Sequence, residues 1–522
     1  MSELFPPQVS PATGAPLPPV QVPSPDAIRA AVAAARAAQP AWAARPLAER
    51  AAAIVGAARA LLERRDALLA PMEAETGRAA TEDLLSELVG LVDGAKRAVR
   101  VAERALAPEP IKLSPLDFPG KSARIEAVPR GVVAIVAPWN YPLGNFLKST
   151  WPALLAGNGV VLKPSEYTPR TGAAFHAIVA EHLPPGLLQL VQGPGHVGAA
   201  LVAADVDGIV FTGSVPTGKK VAAIAAERLV PCSLELGGKD AAIVLADCDL
   251  ERTALGVAQW SMHNAGQNCA GIERVYVERG DTSGAFADTF VATLARVVGR
   301  LRVAPSAPWS DLGPLQNEKQ LAIVERHVAE AIAAGAKLVV GGRRTGQGLG
   351  YLPTVLDHCT DDMAVMREET FGPVVAVARV ADADEAVRRA NASDYGLNGS
   401  VWTRDLERGA ALARRLEVGV ALVNNHALTG IMPELPWTGV KETGFGVAQS
   451  THAYGTFVRR RALFVDKGKG PDPWWFPLDA SARQFADALV ERSLGNLGAM
   501  FRLAGLLGKR QKASRALAAK DG

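Results

Sequence analysis

The feature that most constrains this chain is a change of period at Gly131. Before it, from Asp26 to Ala107, apolar residues recur at spacings of three and four, as in AAAIVGAARALLERRDALLAPMEAETG, which predicts amphipathic helices packed outside a sheet. A Pro-containing stretch around Leu113 to Gly120 and a partly alternating segment, ARIEAVP, intervene. After Gly131 comes a β-branched run, Val132 to Ala137, and then apolar strands alternate with helices across Gly and Pro turns: GVVLKPS, TGAAFHAIVAEHL, LLQLVQG, VGAALVAA, VDGIVFTGS, TGKKVAAIAAERL. Such a rhythm predicts a parallel sheet with crossover helices, and a similar alternation from about 240 to 425 predicts a second α/β domain.

At 522 residues the chain is too long for one compact core. A net charge of +3 with 21% charged residues gives no field suited to nucleic acid. The four cysteines, Cys232, Cys248, Cys269 and Cys359, have no CxxC spacing, so neither a disulfide framework nor a metal site is expected and a reducing, cytoplasmic compartment fits. The first 25 residues are proline-dense with acidic Glu3, which predicts an extended arm, packed on the body or disordered, and not a signal peptide. No apolar run approaches the roughly 18 residues that span a bilayer.

Several segments carry candidate chemistry. Cys269 lies in HNAGQNCAG, where Gly266 and Gly271 allow tight backbone and small neighbours admit a substrate. A thiolate there can attack a carbonyl; the alternative is an inert buried thiol. Glu235, in SLELGGKD, ends an apolar run, which suits a general base of raised proton affinity; the alternative is a strand-end carboxylate paired with Lys239. Asn140, in VAPWNYP, can donate its amide to an oxyanion or bond its own turn. In FTGSVPTGKK a strand runs through Gly213 and Ser214 into a helix, which suits a pyrophosphate, although the spacing is not GxGxxG. Lys163 and Glu166, in LKPSE, can face a ribose or form a solvated ion pair.

Taken together, PWNYP, LKPSE, FTGS, LELGGKD, GQNCAG, EETFGPV and PWTGVKETGFG resemble the aldehyde dehydrogenase superfamily in order and spacing, over roughly residues 26 to 465. The resemblance implies a Rossmann-like cofactor domain, a second α/β catalytic domain and a small β element for oligomerisation. The boundaries are read as an arm over 1–25, a dinucleotide-binding domain over 26–110 and 130–238, a catalytic domain over 239–440, the β element over 111–129 and 447–465, and an extension over 466–522. It implies that Cys269 attacks an aldehyde, that Asn140 stabilises the oxyanion and that Glu235 activates water. Trp139, Lys163, Glu166, Gly213 and Ser214 are then expected at the adenosine and pyrophosphate end of the cofactor, with Glu369 and Phe371 at the nicotinamide. NAD is expected first, with NADP as a second cofactor, because Glu166 would repel a 2′-phosphate. Glu235 argues for a free acid product; transfer of the acyl group to coenzyme A and a non-catalytic scaffold are the alternatives. A homodimer or homotetramer is implied.

Two features depart from the family pattern. Lys148, in LGNFLKSTW, stands where relatives often have an apolar or aromatic pocket residue, and it either meets an anionic substrate tail or snorkels to solvent. Past residue 466, Val490, Leu494, Leu497, Phe501 and Ala504 recur at helical spacing, followed by Lys509, Arg510 and Lys512 and preceded by Trp474, Trp475 and Phe476. This reads as an amphipathic basic helix, suited either to peripheral membrane contact or to packing on protein.

Overall fold

The computed structural model describes residues 8–115, 117–304, 309–468 and 470–519, and among them lie two α/β sheets. The first has six strands in the order Gly444–Phe445, Cys232–Glu235, Gly208–Thr212, Val132–Val136, Gly159–Lys163 and Leu188–Leu190. All but the short Gly444–Phe445 edge pair are parallel. The β-branched runs are buried because helices cover both faces. Ile135, Val160, Phe175 and Leu154 sit in one core, and Val132, Ala134, Val161 and Leu201 in the other.

This topology decides where a site can form. Val132–Val136 pairs with Gly159–Lys163 on one side and with Gly208–Thr212 on the other, so chain order reverses there. In open α/β sheets that reversal leaves a crevice at the carboxyl ends of the strands. The register aligns Val136 with Lys163 and Phe211, and Thr212 with Glu235, so the segments starting at Ala137, Pro164, Gly213 and Leu236 leave the same edge.

The second sheet has seven strands, in the order Lys337–Val340, Thr354–Asp357, Val374–Val380, Ile272–Glu278, Asp240–Val244, Asn398–Trp402 and Val420–Val423, with only the first pair antiparallel. It begins four residues after the strand Cys232–Glu235 ends, so the Leu236–Lys239 connection joins the sheets. The arm is packed over its described part: Val22 is buried in the first sheet's core, and Leu349 N donates to Pro11 O at 2.9 Å. Residues 1–7 of the expected arm lie outside the described residues.

The chain divides into two compact units, residues 1–107 with 127–459, and residues 108–126 with 460–522. Glu109–Ile111, Lys121–Pro129 and Val458–Asp466 form a three-stranded sheet whose residues fall mostly in the second unit. Residues 447–457, read with this β element, instead carry the short helix Tyr454–Phe457, and Tyr454 and Phe457 are buried in the first unit's core.

The extension is a helical hairpin, not one helix. Ala480–Ser493 and Gly498–Ala518 are separated at Gly495, whose φ of 90° ends the first helix in the left-handed region that glycine tolerates. Its core is Phe485, Ala488 and Leu503, while Leu494, Leu497 and Phe501 of the expected stripe point outward around the turn. Arg510 is no part of a surface cluster. It is fully buried, with bonds to Pro473 O at 2.8 Å and Asp479 Oδ1 at 3.0 Å. No described helix is long and apolar enough to cross a membrane.

Candidate active site

Cys269 is held by a loop that only unusual backbone permits. After the helix Leu250–Met262, three successive residues, Asn264, Ala265 and Gly266, have φ of 56°, 52° and 70°. A side chain on Gly266 would put Cβ 2.0 Å from Gly372 O, so glycine is required there by space as well as by φ. Hydrogen bonds hold the strained turn. Asn264 Nδ2 donates to Asn140 O at 2.8 Å, Gln267 Nε2 donates to Pro314 O at 3.2 Å, and Gln267 Oε1 accepts from Gln316 N at 2.8 Å. A Cβ on Gly238 would come within 2.4 Å of Cys269 O, so the connection between the two sheets lies directly against the cysteine.

Asn140 is buried and oriented from both ends. Its Oδ1 accepts from Asn145 Nδ2 at 3.2 Å and its Nδ2 donates to Gln267 O at 3.1 Å, which turns the amide toward the Cys269 loop and away from its own turn. Arg78 donates to Asn140 O at 3.0 Å and is itself paired with Asp83 at 2.6 Å and with Glu87, all buried. The Glu87 carboxylate also accepts from Leu143 N at 2.7 Å and Gly144 N at 2.9 Å, and Glu82 accepts from Asn264 N at 2.9 Å. One ionic cluster therefore supports both Asn140 and the cysteine loop.

Lys239 does not pair with Glu235. It is buried against Glu273 and donates to Thr370 Oγ1 at 3.0 Å, leaving Glu235 Oε1 buried without a hydrogen-bond partner. Burial pushes the Glu235 carboxyl up to about 7, opposed by the Lys148 charge. Burial likewise pushes the Cys269 thiol up to about 12, and Lys148 is the cation that acts most strongly against it. Lys148 does not snorkel away: its Nζ stands 4.7 Å from the centroid of the Trp437 ring.

Two cavities meet at Cys269, the residue common to both linings. The larger, about 760 Å³, lies at the crevice of the first sheet and is lined by all seven residues expected to hold a cofactor, Trp139, Lys163, Glu166, Gly213, Ser214, Glu369 and Phe371, as well as by Asn140. Ser214 precedes the helix Val215–Glu227, whose first-turn N–H groups suit an anion. Lys163 is buried 3.5 Å from half-exposed Glu166, so this is not a fully solvated ion pair. Trp139 stands edge-on to Phe371, with centroids 5.5 Å apart. Glu369 accepts from Gly238 N at 3.0 Å and is pushed by burial up to about 8. A Cβ on Gly237 would lie 2.5 Å from this carboxylate. The second cavity, about 430 Å³, is largely apolar and lies on the other side of the thiol. Cys232, Cys248 and Cys359 border neither cavity.

A sequence profile described as "Aldehyde dehydrogenase family" matches residues 4–463. The chain belongs to the aldehyde dehydrogenase family. It is 37% identical over 475 residues, 91% of this chain and 88% of the other, to a 4,4'-diapolycopene aldehyde oxidase of Methylomonas sp. It is 38% identical over 484 residues, 92% and 91% of the two chains, to a candidate succinate-semialdehyde dehydrogenase (NADP+) of Mycolicibacterium smegmatis. Among solved structures, an aldehyde dehydrogenase of Mycobacterium tuberculosis complexed with NAD+ matches with a TM-score of 0.84 at 35% identity, covering 90% of this chain and 96% of that one.

Within this aldehyde dehydrogenase, Tyr141, His263 and Arg78 were not singled out by the sequence. Tyr141 lines the smaller cavity and its hydroxyl lies 2.9 Å from His263 Nδ1, while burial and the Arg78 charge lower His263 to about 4 and keep it neutral. The position of Tyr141 next to Asn140 was the available signal.

Two measurements check this geometry. Lys239→Met leaves Glu273 buried and uncompensated, so stability in denaturant titration falls by about 3–5 kcal/mol, and adding Glu273→Gln restores part of it. Lys148→Met removes the cation that favours the thiolate. Alkylation of Cys269 by iodoacetamide, followed by peptide mass spectrometry, then slows by about threefold or more at fixed pH, and its pH profile moves upward.

Proposed function

We propose that this aldehyde dehydrogenase oxidises an aldehyde to the free carboxylic acid through a thioester on Cys269. The observation that carries the reading is the meeting of the two cavities at a single thiol, since hydride transfer needs substrate and cofactor on either side of one carbon. The Cys269 thiol first loses its proton, a step the Lys148 charge favours, and the thiolate attacks the carbonyl carbon, forming the C–S bond of a thiohemiacetal as the carbonyl oxygen takes the negative charge. The Asn140 amide and the Cys269 N–H bind the oxyanion, and their fixed orientation lowers the barrier without reorganisation. The nicotinamide cofactor supplies the acceptor for the hydride that leaves this carbon as the carbonyl re-forms. Glu235 then takes a proton from water as the water oxygen attacks the thioester, the C–S bond breaks and the acid departs. A carboxyl of proton affinity near neutrality, with no hydrogen-bond partner on Oε1, suits that task. It also favours hydrolysis over acyl transfer to coenzyme A.

Trp139, Lys163, Glu166, Gly213 and Ser214 are assigned to the adenosine and pyrophosphate end, and Glu369 and Phe371 to the nicotinamide end. Glu166 at the ribose favours NAD, while its Lys163 partner tempers the repulsion of a 2′-phosphate, so NADP is a second acceptor. The strand Val458–Asp466, exposed along most of its length, supports assembly into a homodimer or homotetramer. The free cysteines suit the cytoplasm, and the outward Leu494, Leu497 and Phe501 support peripheral membrane contact. The two relatives differ in the aldehyde their names cite, and the names do not choose between them.

Cys269→Ala abolishes NADH formation with every aldehyde. Glu235→Gln gives about one equivalent of NADH per site followed by slow turnover, because the thioester forms and is not hydrolysed. For the wild type the hydrolytic step falls as pH drops below about 7, where Glu235 becomes protonated. Unchanged steady-state turnover in Glu235→Gln would contradict the assignment.

A further inference from the structure

The smaller cavity says more about the aldehyde than the chemistry at Cys269 does. Four large aliphatic side chains at this cavity are exposed to water: Leu85 at 69%, Val89 at 65%, Leu428 at 36% and Ile431 at 63%. Trp151, Trp260 and Trp437 line it further along with Leu147 and Val101. An apolar cavity with an apolar, water-exposed rim suits an apolar occupant, which removes that surface from water.

The backbone is built to produce this rim. Residues Leu84–Leu88 form a turn of π-helix, and one such wide turn inside helical chain often marks a functional site. It turns Glu87 inward onto Arg78 and the Leu143 and Gly144 amides, and leaves Leu85 and Val89 outward. Facing them, the short turn Leu428–Ile431 is held by Gln449 Nε2, which donates to Gly430 O at 2.8 Å.

The charged side chains at this cavity are turned to other tasks. Three charged side chains line this cavity, Glu87, Arg97 and Lys148. Glu87 is committed to Arg78, and Arg97 donates to Ile431 O at 2.7 Å and lies 3.7 Å from Glu434. Lys148 stands over Trp437 and acts on Cys269 and Glu235, so its charge serves the reacting end and not a distant tail. Among the described residues, the two cations lining the cavity both already contact protein groups, Arg97 the Ile431 carbonyl and Lys148 the Trp437 ring.

We infer that the substrate is an aldehyde with a long, uncharged apolar chain, whose tail lies between Leu85 and Val89 on one side and Leu428 and Ile431 on the other. The inference rests on the aldehyde-oxidising reading above and narrows it to one substrate class. The test is NADH formation by the full chain with straight aldehydes from butanal to hexadecanal, with succinate semialdehyde as the anionic competitor. The kcat/KM rises by about two- to fourfold per added methylene until the cavity is filled. Succinate semialdehyde falls below pentanal. Val89→Asp and Ile431→Asp, both at exposed positions, lower the ratio of kcat/KM for dodecanal over butanal by at least tenfold. A flat or falling chain-length series, or preference for succinate semialdehyde, overturns the inference and leaves aldehyde oxidation standing. Absence of NADH formation with every aldehyde overturns both.

Discussion

The site depends on one buried ion pair, Lys239 with Glu273. Lys239 comes from the connection between the two sheets, and Glu273 from the strand that starts just after Cys269. Glu273 also accepts from Thr370 N and Phe371 N, each at 2.8 Å, so the loop carrying Glu369 and Phe371 is fixed to the same point. Three segments far apart in sequence thus meet at two opposite charges that water cannot reach. A buried pair of this kind adds little net stability when intact, yet losing one partner leaves the other charge stranded. Its value here is position: the pair ties together the segments between which Gly238 donates to Glu369 and lies against the Cys269 carbonyl.

That dryness sets the chemistry. Burial is the largest cause raising the proton affinity of Glu235, Glu369 and Cys269, and neighbouring carboxylates add to it at Glu369 and Cys269. For Glu235 the shift is useful, because a base near neutrality can accept a proton from water and release it again. For Cys269 it is a cost, because a neutral thiol is a poor nucleophile. Lys148 is the nearest remedy in this chain: it opposes the shift at both groups, and the Trp437 face holds its ammonium without cancelling its charge. In the proposed reaction, the same residue that departs from the family pattern thereby becomes part of how the thiol is activated.

Much of this was legible in the sequence, for reasons that differ by residue. The strand Val132–Val136 and its parallel neighbours follow from β-branched runs and Gly turns, which are local signals. The residues lining the larger cavity, which are proposed to hold the cofactor, were reached through short segments whose joint order resembles a known family; each alone left an ordinary structural reading open. What escaped was set by contacts across the fold. No local pattern tells that Lys239 would choose Glu273 over Glu235, or that Lys148 would turn inward. The stripe from Val490 to Phe501 looked like one helix face because helical spacing continues across Gly495, yet a single left-handed residue there reverses the chain. Arg510, read among surface cations, is buried because backbone carbonyls from Pro473 and Trp475 converge on it. The wide turn at Leu84–Leu88 has no composition of its own and was equally hidden.

In the proposed reaction, carbon-to-sulfur bonding at Cys269 connects the two cavities. Intact-mass spectrometry of Glu235→Gln, quenched in acid after mixing with NAD and decanal, tests it most directly. The expected result is an adduct of the mass of the decanoyl group, lost on hydroxylamine treatment and mapped to the peptide containing Cys269. An unmodified protein that has nonetheless produced NADH, or an adduct on Cys232, Cys248 or Cys359, would contradict it.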